Sequence, residues 1–232
     1  MVVLNEATVD NPDMDLYKYS TKADFSNALP ASKYSLDTAN QLSLAKYELV
    51  SCRINSVWSK AIKTSILKGS ILPKYSRLMH GEDLLQCALA IDVVDTCVFL
   101  DEPLYWYRTN ASSITHSFKE KQVCDLDVVT DALMEIVKGW GGSYLEVMRR
   151  SLLKPYCGLI LLLISSRLSN KERERCREAI RESLLERFEE EELSSKNLDL
   201  YHSIVINAAV SASPNSLLTL LMVGVSKIWA SR

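Results

Sequence analysis

The rhythm of apolar and polar positions changes about halfway along the chain. After Lys119, apolar residues recur at helical spacing: Val129, Leu133, Ile136 and Val137 mark one face of a helix over Val123–Lys138. Gly139, Gly141 and Gly142 end it. Four further helical stretches follow, over Tyr144–Ser166, Lys171–Leu193, Leu198–Val210 and Asn215–Trp229, with Pro155 expected to break or kink the first. Before residue 118 the apolar runs are shorter and mixed in period. Val2–Leu4 reads as a strand, Asn11-Pro12-Asp13 as a turn, and Asp37–Val50 as a helix capped by Asp37. Ile54–Ile62 fits a strand or a short helix, Gly69–Arg77 a loop, and Glu82–Ile91 a helix. Cys97–Leu100 and Leu104–Arg108 read as two strands joined by a turn at Asp101-Glu102-Pro103. The pattern predicts an α/β region over 1–118 and a mostly α-helical region over 119–232, helix-rich overall.

Charge along the Lys171–Leu193 stretch runs against a helix dipole. Lys171, Arg173, Arg175 and Arg177 stand at its start and Glu189–Glu192 at its end. Pairs such as Glu174–Arg177 and Glu178–Arg181 offset this by a few tenths of a kcal/mol each. A solvated face is the expectation here, ahead of a basic docking surface.

Composition narrows the class. Hydrophobic residues make up 47% of 232 positions, enough for a sizeable core and too many for a disordered chain. A formal net charge of −2 supplies no basic field for nucleic acid. The six cysteines are scattered without a Cys-x-x-Cys pair, which fits reduced thiols in a cytoplasm and not a zinc site or a disulfide framework. In that compartment the sequon Asn110-Ala111-Ser112 carries no meaning. No signal peptide is visible at Met1–Glu6. Leu159–Ile164 and Leu217–Trp229 fall short of the ~20 residues of a spanning helix. Peripheral contact at the inner face of a membrane stays open for the second.

The chemistry-bearing residues cluster before residue 118. In His80-Gly81-Glu82-Asp83-Leu84-Leu85, two carboxylates follow a glycine at the predicted start of a helix. There the dipole and free N–H groups favour the ionised form, the state a general base needs. Acidic residues also favour any first helical turn for structural reasons, so this motif alone decides nothing. Likewise, Tyr105, Trp106 and Tyr107 alone read as a half-buried strand, and His116 lacks a partner at metal-ligand spacing.

Together the elements are more specific. Asn55-Ser56-Val57-Trp58-Ser59-Lys60, then His80-Gly81-Glu82-Asp83-Leu84-Leu85, then Leu100-Asp101-Glu102-Pro103-Leu104-Tyr105-Trp106-Tyr107-Arg108, then Ser112-Ser113-Ile114-Thr115-His116-Ser117 stand in one order. This order and spacing, over residues 50 to 118, resembles the acceptor-side half of family 2 glycosyltransferases of the GT-A fold. The resemblance implies a partial GT-A-like region and inverting transfer of a sugar from a nucleotide-sugar donor to the hydroxyl of a sugar or glycolipid acceptor. Polysaccharide or glycoconjugate assembly is the implied setting. It makes Asp83 the base, gives Glu82 and Trp58 to the acceptor, and brings Arg108, Asn110 and His116 toward the donor diphosphate. A divalent metal, Mn or Mg, is expected with the donor.

The nucleotide-binding half that precedes these motifs in the family has no counterpart before residue 50. Asp13-Met14-Asp15 follows Asn11-Pro12 in place of an apolar strand, and Asp125-Leu126-Asp127 lies in a helical pattern after the acceptor motif. Neither reads as the metal-holding Asp-x-Asp. Two alternatives therefore stand beside an active enzyme: a truncated, catalytically silent product, and a helical interaction or membrane-associated module in residues 119–232. An isolated acceptor-side piece also exposes sheet edges, which the first fifty residues, a homodimer or a complementing partner would cover.

Overall fold

The computed structural model describes residues 2–9, 38–70, 75, 77–108, 117–194, 198 and 200–211. Its helix-rich chain divides into two compact units: Met1–Leu78 with Glu82–Ser112, and Met79–Gly81 with Ser113–Arg232. The expected cap Asp37, the turn at Asn11-Pro12-Asp13, the Asp13-Met14-Asp15 triplet and the helix over Asn215–Trp229 lie outside the described residues.

The first unit contains β1 (Val2–Val9), α1 (Thr38–Val50), β2 (Lys60–Ala61), α2 (Thr64–Ser70), α3 (Glu82–Val93) and β3 (Val98–Arg108). Its sheet has the order β2-β1-β3. β1 runs antiparallel to β2, pairing Val3 with Lys60, and parallel to β3, pairing Val2 with Val98 and Val9 with Arg108. The parallel pair requires a long crossover, and the helices α1 to α3 lie within it.

β3 corrects the expected strand–turn–strand. It is one strand of 11 residues against 8 on β1, and the surplus is absorbed where Leu4 pairs with Leu100, Asn5 with Pro103 and Glu6 with Tyr105. Asp101, Glu102 and Leu104 are thereby left out of the one-to-one register. A proline has no N–H for the ladder, and such an irregularity accommodates it without ending the strand. β3 is an edge of this sheet. One of its donors, the Phe99 N–H, is satisfied by the buried Gln41 side-chain carbonyl of α1 at 2.8 Å. Part of the first fifty residues therefore does pack on the edge strand.

Leu49 and Val50 of α1, Leu85, Ala88 and Ile91 of α3, and Phe99 form the buried core of this unit. α1 ends in a Schellman motif: Arg53 N–H donates to Glu48 O at 2.9 Å and Cys52 N–H to Leu49 O at 2.8 Å. The residue this motif sets in the left-handed region is Cys52, at φ 56°. The helix α2 falls on residues to which the sequence pattern assigns no element, except that its end at Gly69 and Ser70 enters the expected loop, because Thr64–Ser70 is too short to display a helical period.

The second unit is helical: α4 (Lys121–Lys138), α5 (Gly142–Ser165), α6 (Asn170–Arg187), α7 (Glu190–Leu193) and α8 (Leu200–Val210). α4, α5 and α6 pack on one another, and α8 lies against α5, α6 and α7. Val129, Leu133 and Val137 are buried as their spacing predicts. α5 runs through Pro155 without a break.

The single helix expected over Lys171–Leu193 is two helices. α6 starts at a capping box in which Glu172 N–H donates to Ser169 Oγ and the Glu172 carboxylate accepts from the Ser169 N–H. It ends at Phe188, whose extended backbone turns a buried ring into the core, edge-to-face with Tyr156 at 5.8 Å. Glu189 then begins a second capping box with Glu192. The acids expected at an unfavourable C-terminus thus stand at the start of α7, where the dipole favours them. Arg177 and Arg181, on the face expected to be merely solvated, donate to the last carbonyls of α8. Arg177 reaches Ser211 O at 2.9 Å and Arg181 reaches Val210 O at 3.0 Å.

Candidate functional site

Asp83 and Glu82 occupy the first turn of α3, both half-buried. Gly81, immediately before them, has φ +76°, a conformation that L side chains rarely adopt. A Cβ there would also stand 3.2 Å from Cγ1 of Val129. The glycine is therefore favoured by its conformation, and a side chain there would also press on Val129.

Trp58 sits half-buried in a turn that leads into β2. Lys60 N–H donates to Val57 O at 3.0 Å, and Ser59 Oγ donates to Ser56 O at 3.2 Å. Ser59 is buried, so its hydroxyl belongs to the turn and not to solvent. The Lys60 ammonium folds back to Ser56 O at 2.5 Å and Ser59 Oγ at 3.3 Å.

The Lys60 charge also acts on the buried thiol of Cys87, one helical turn beyond Asp83 on α3. Burial pushes the Cys87 thiol up to about 11, the Lys60 charge pulls against this, and the Asp83 charge adds to it. Cys97, also buried, is pushed to about 11 by burial and is likewise opposed by Lys60. Lys60 was not among the residues singled out from sequence, although the Trp-x-Lys element contained the signal. Chemically, a half-buried carboxylate in a helix's first turn can accept a proton, and a half-buried aromatic side chain such as Trp58 can cover a sugar's C–H face.

Arg108 closes β3 opposite Val9, and Asn110 and His116 lie outside the described residues. Asp125 and Asp127 fall on α4, as the helical pattern indicated. Asp125 is buried, takes the Lys121 ammonium at 2.6 Å and accepts the Met79 N–H at 2.9 Å. Asp127 accepts from the hydroxyls of Tyr156 and Ser183. Among the described residues, no group of three or more His, Cys, Asp or Glu side chains could hold a metal ion. They offer no ligand set for the divalent cation that the resemblance implies.

The helical unit carries a cavity of about 290 Å³, lined in part by Gly142, Arg149, Arg150, Glu189 and Glu192. Both of its arginines are engaged: Arg149 holds Glu192 through two bonds of 2.5 and 2.6 Å, and Arg150 holds Glu146 at 2.5 Å. All six cysteines are free thiols, with Cys124 exposed. No described helix is long and apolar enough to cross a membrane.

No protein-family model matches the chain, and no curated protein or solved structure does either.

Proposed function

We propose that the chain is the acceptor-side part of an inverting family 2 glycosyltransferase, with a partial GT-A-like first unit. Asp83 takes the proton of an acceptor hydroxyl as that oxygen attacks the anomeric carbon of a nucleotide-sugar. The carbon–oxygen bond to the nucleoside diphosphate breaks, and the configuration inverts. A hydroxyl is a weak nucleophile until a base lies within hydrogen-bond reach, and this is the step that Asp83 supplies. Glu82 and Trp58 hold the acceptor. The same proposal gives Arg108, Asn110 and His116 to the donor diphosphate, where charge-assisted bonds would be strongest.

One observation carries the reading: the half-buried Asp83 in the first turn of α3, directly after the left-handed Gly81. The motif order over residues 50 to 118 supplies the reaction class.

Calorimetric titration of the full chain with a panel of nucleotide-sugars, in Mn²⁺ or Mg²⁺, tests it. Binding of one donor, followed by transfer to an acceptor that Asp83→Asn abolishes, supports the proposal. If no donor binds, the chain does not act alone, and the catalytically silent alternative takes its place.

A further inference from the structure

Met79, His80 and Gly81, the three residues that lead into Glu82 and Asp83, belong with the helical unit. Two points hold them there. The Met79 N–H donates to Asp125 Oδ2 of α4 at 2.9 Å. Gly81 lies so near Val129 that a Cβ added to it would stand 3.2 and 3.3 Å from the two Val129 methyl carbons. Asp125 and Val129 are four residues apart, both buried, and share one face of α4. The segment therefore follows one turn of α4, with a hydrogen bond at its start and close packing at its end. Asp125 is itself held from the preceding turn, where the Lys121 ammonium reaches Oδ1 at 2.6 Å and Oδ2 at 2.8 Å. A carboxylate is a stronger acceptor for an amide N–H than a neutral oxygen, which makes the Met79 bond a firm one.

We propose that Asp125 is a positioning residue: it holds Met79 on α4, and so sets the course on which the chain passes through Gly81 into the first turn of α3, where Glu82 and Asp83 stand. This rests on the acceptor-site reading above and adds to it the group that aims the two carboxylates. Gly81 has φ +76° and is bonded covalently to Glu82. Backbone freedom is greatest at a glycine, so the direction of the next residue depends on what restrains the chain just before it. A base must come within hydrogen-bond reach of one hydroxyl, and misplacement by about 1 Å is enough to cost on the order of 100-fold in rate. The first acid of Asp125-Leu126-Asp127, a triplet that does not read as metal-holding, gains this role instead.

Two measurements on the full chain test this, and the first needs no substrate. Amide exchange of Met79 and the ¹H–¹⁵N signals of Gly81, Glu82 and Asp83 are compared in wild type, Asp125→Ala and Asp125→Asn. In wild type the Met79 amide, which lies in no helix or strand, should exchange at least about tenfold more slowly than in the unfolded chain. Asp125→Ala should bring it within about threefold of the unfolded rate and move the three signals, while the Leu133 and Val137 amides of α4 stay protected. Asp125→Asn keeps an oxygen that accepts the same N–H and should retain most of the protection. A Met79 amide that exchanges freely in wild type overturns the anchor, whatever the variants do. Signals of Gly81, Glu82 and Asp83 that stay in place in folded Asp125→Ala overturn it as well.

The second measurement follows transfer from a panel of nucleotide-sugars to methyl glycosides, with each rate expressed per donor-binding site, so that a loss of folded protein does not register. Asp125→Ala should lower kcat about tenfold or more and leave the donor Kd within about threefold, and Asp125→Asn should recover kcat to within about threefold of wild type. Equal kcat in wild type and Asp125→Ala overturns the positioning role even where the anchor exists. A wild-type chain that transfers nothing counts against the acceptor-site reading and removes the positioning role with it, and Met79 exchange still decides the anchor.

Discussion

The Tyr156 hydroxyl donates to Asp127 Oδ1 across 2.8 Å, and so ties α5 to α4 inside the helical unit. Ser183 of α6 donates to the same carboxylate oxygen, and Arg187 lies 3.7 Å from it. Burial pushes the Tyr156 phenol well above its usual range, so it stays a donor. One carboxylate therefore links three helices. Tyr156→Phe should lower unfolding free energy by about 1–1.5 kcal/mol, and Asp127→Ala by about 2–3 kcal/mol, because it leaves the Tyr156 and Ser183 hydroxyls without their carboxylate acceptor. Urea unfolding of both single variants and the double variant reads the coupling. Additive losses would mean that no network exists.

A second prediction concerns acid. Although burial works to raise it, Glu192 is held below the usual glutamate value of 4.5 by the Arg149 guanidinium and the Glu189 N–H. The stabilisation is complete above that usual value, and it is lost as pH falls through the lower folded-state value. Glu192→Gln should therefore show a flatter fall in urea midpoint from about pH 6 to about pH 3 than wild type. Parallel curves for the two proteins would refute the linkage.

The Schellman motif offers a stabilising change. Cys52 is a non-glycine residue at φ 56°, which costs roughly 1–2 kcal/mol in steric crowding. Glycine relieves that crowding but adds unfolded-state entropy. Cys52→Gly should therefore raise stability by a net of about 0.5–1 kcal/mol, visible as a higher thermal midpoint.

Thiol reactivity should divide the cysteines sharply. Cys124 is exposed and should react with a chromogenic disulfide reagent within the mixing time or shortly after. Cys87 and Cys97, with thiols pushed up to about 11 by burial, should react only on unfolding. Rapid labelling of either in the folded protein, read by peptide mass analysis, would contradict their placement.

For the proposed chemistry, Asp83→Asn should lower kcat roughly 10²–10⁴-fold and leave the far-UV spectrum unchanged. Glu82→Gln should act mainly on acceptor KM. Similar losses in kcat from both would argue against assigning the base to Asp83 alone.

The long helices were legible in the sequence because α4 and α5 repeat a buried stripe for several turns, enough to fix the period. The junction at Phe188 was not legible. No glycine or proline marks it, and what ends α6 there is tertiary: Arg149 donates to Arg187 O at 3.1 Å and holds Glu192, while the Phe188 ring turns toward Tyr156. Pro103 misled in the opposite direction, because a residue that usually signals a turn is carried inside a strand by an irregular register. At the site, Gly81-Glu82-Asp83 announced its helix start correctly.

The pairing of Val2 with Val98 also sets an order of events during synthesis. β1 leaves the ribosome almost a hundred residues before its parallel partner, an interval of about 5–20 s at ordinary elongation rates. Through that interval the apolar run Val2-Val3-Leu4 has no β3 to pair with. The helical elements beyond Lys121 close mostly with near neighbours and need no such wait. The nascent chain is accordingly most exposed to wrong strand pairing before the segment that carries Tyr105, Trp106 and Tyr107 emerges.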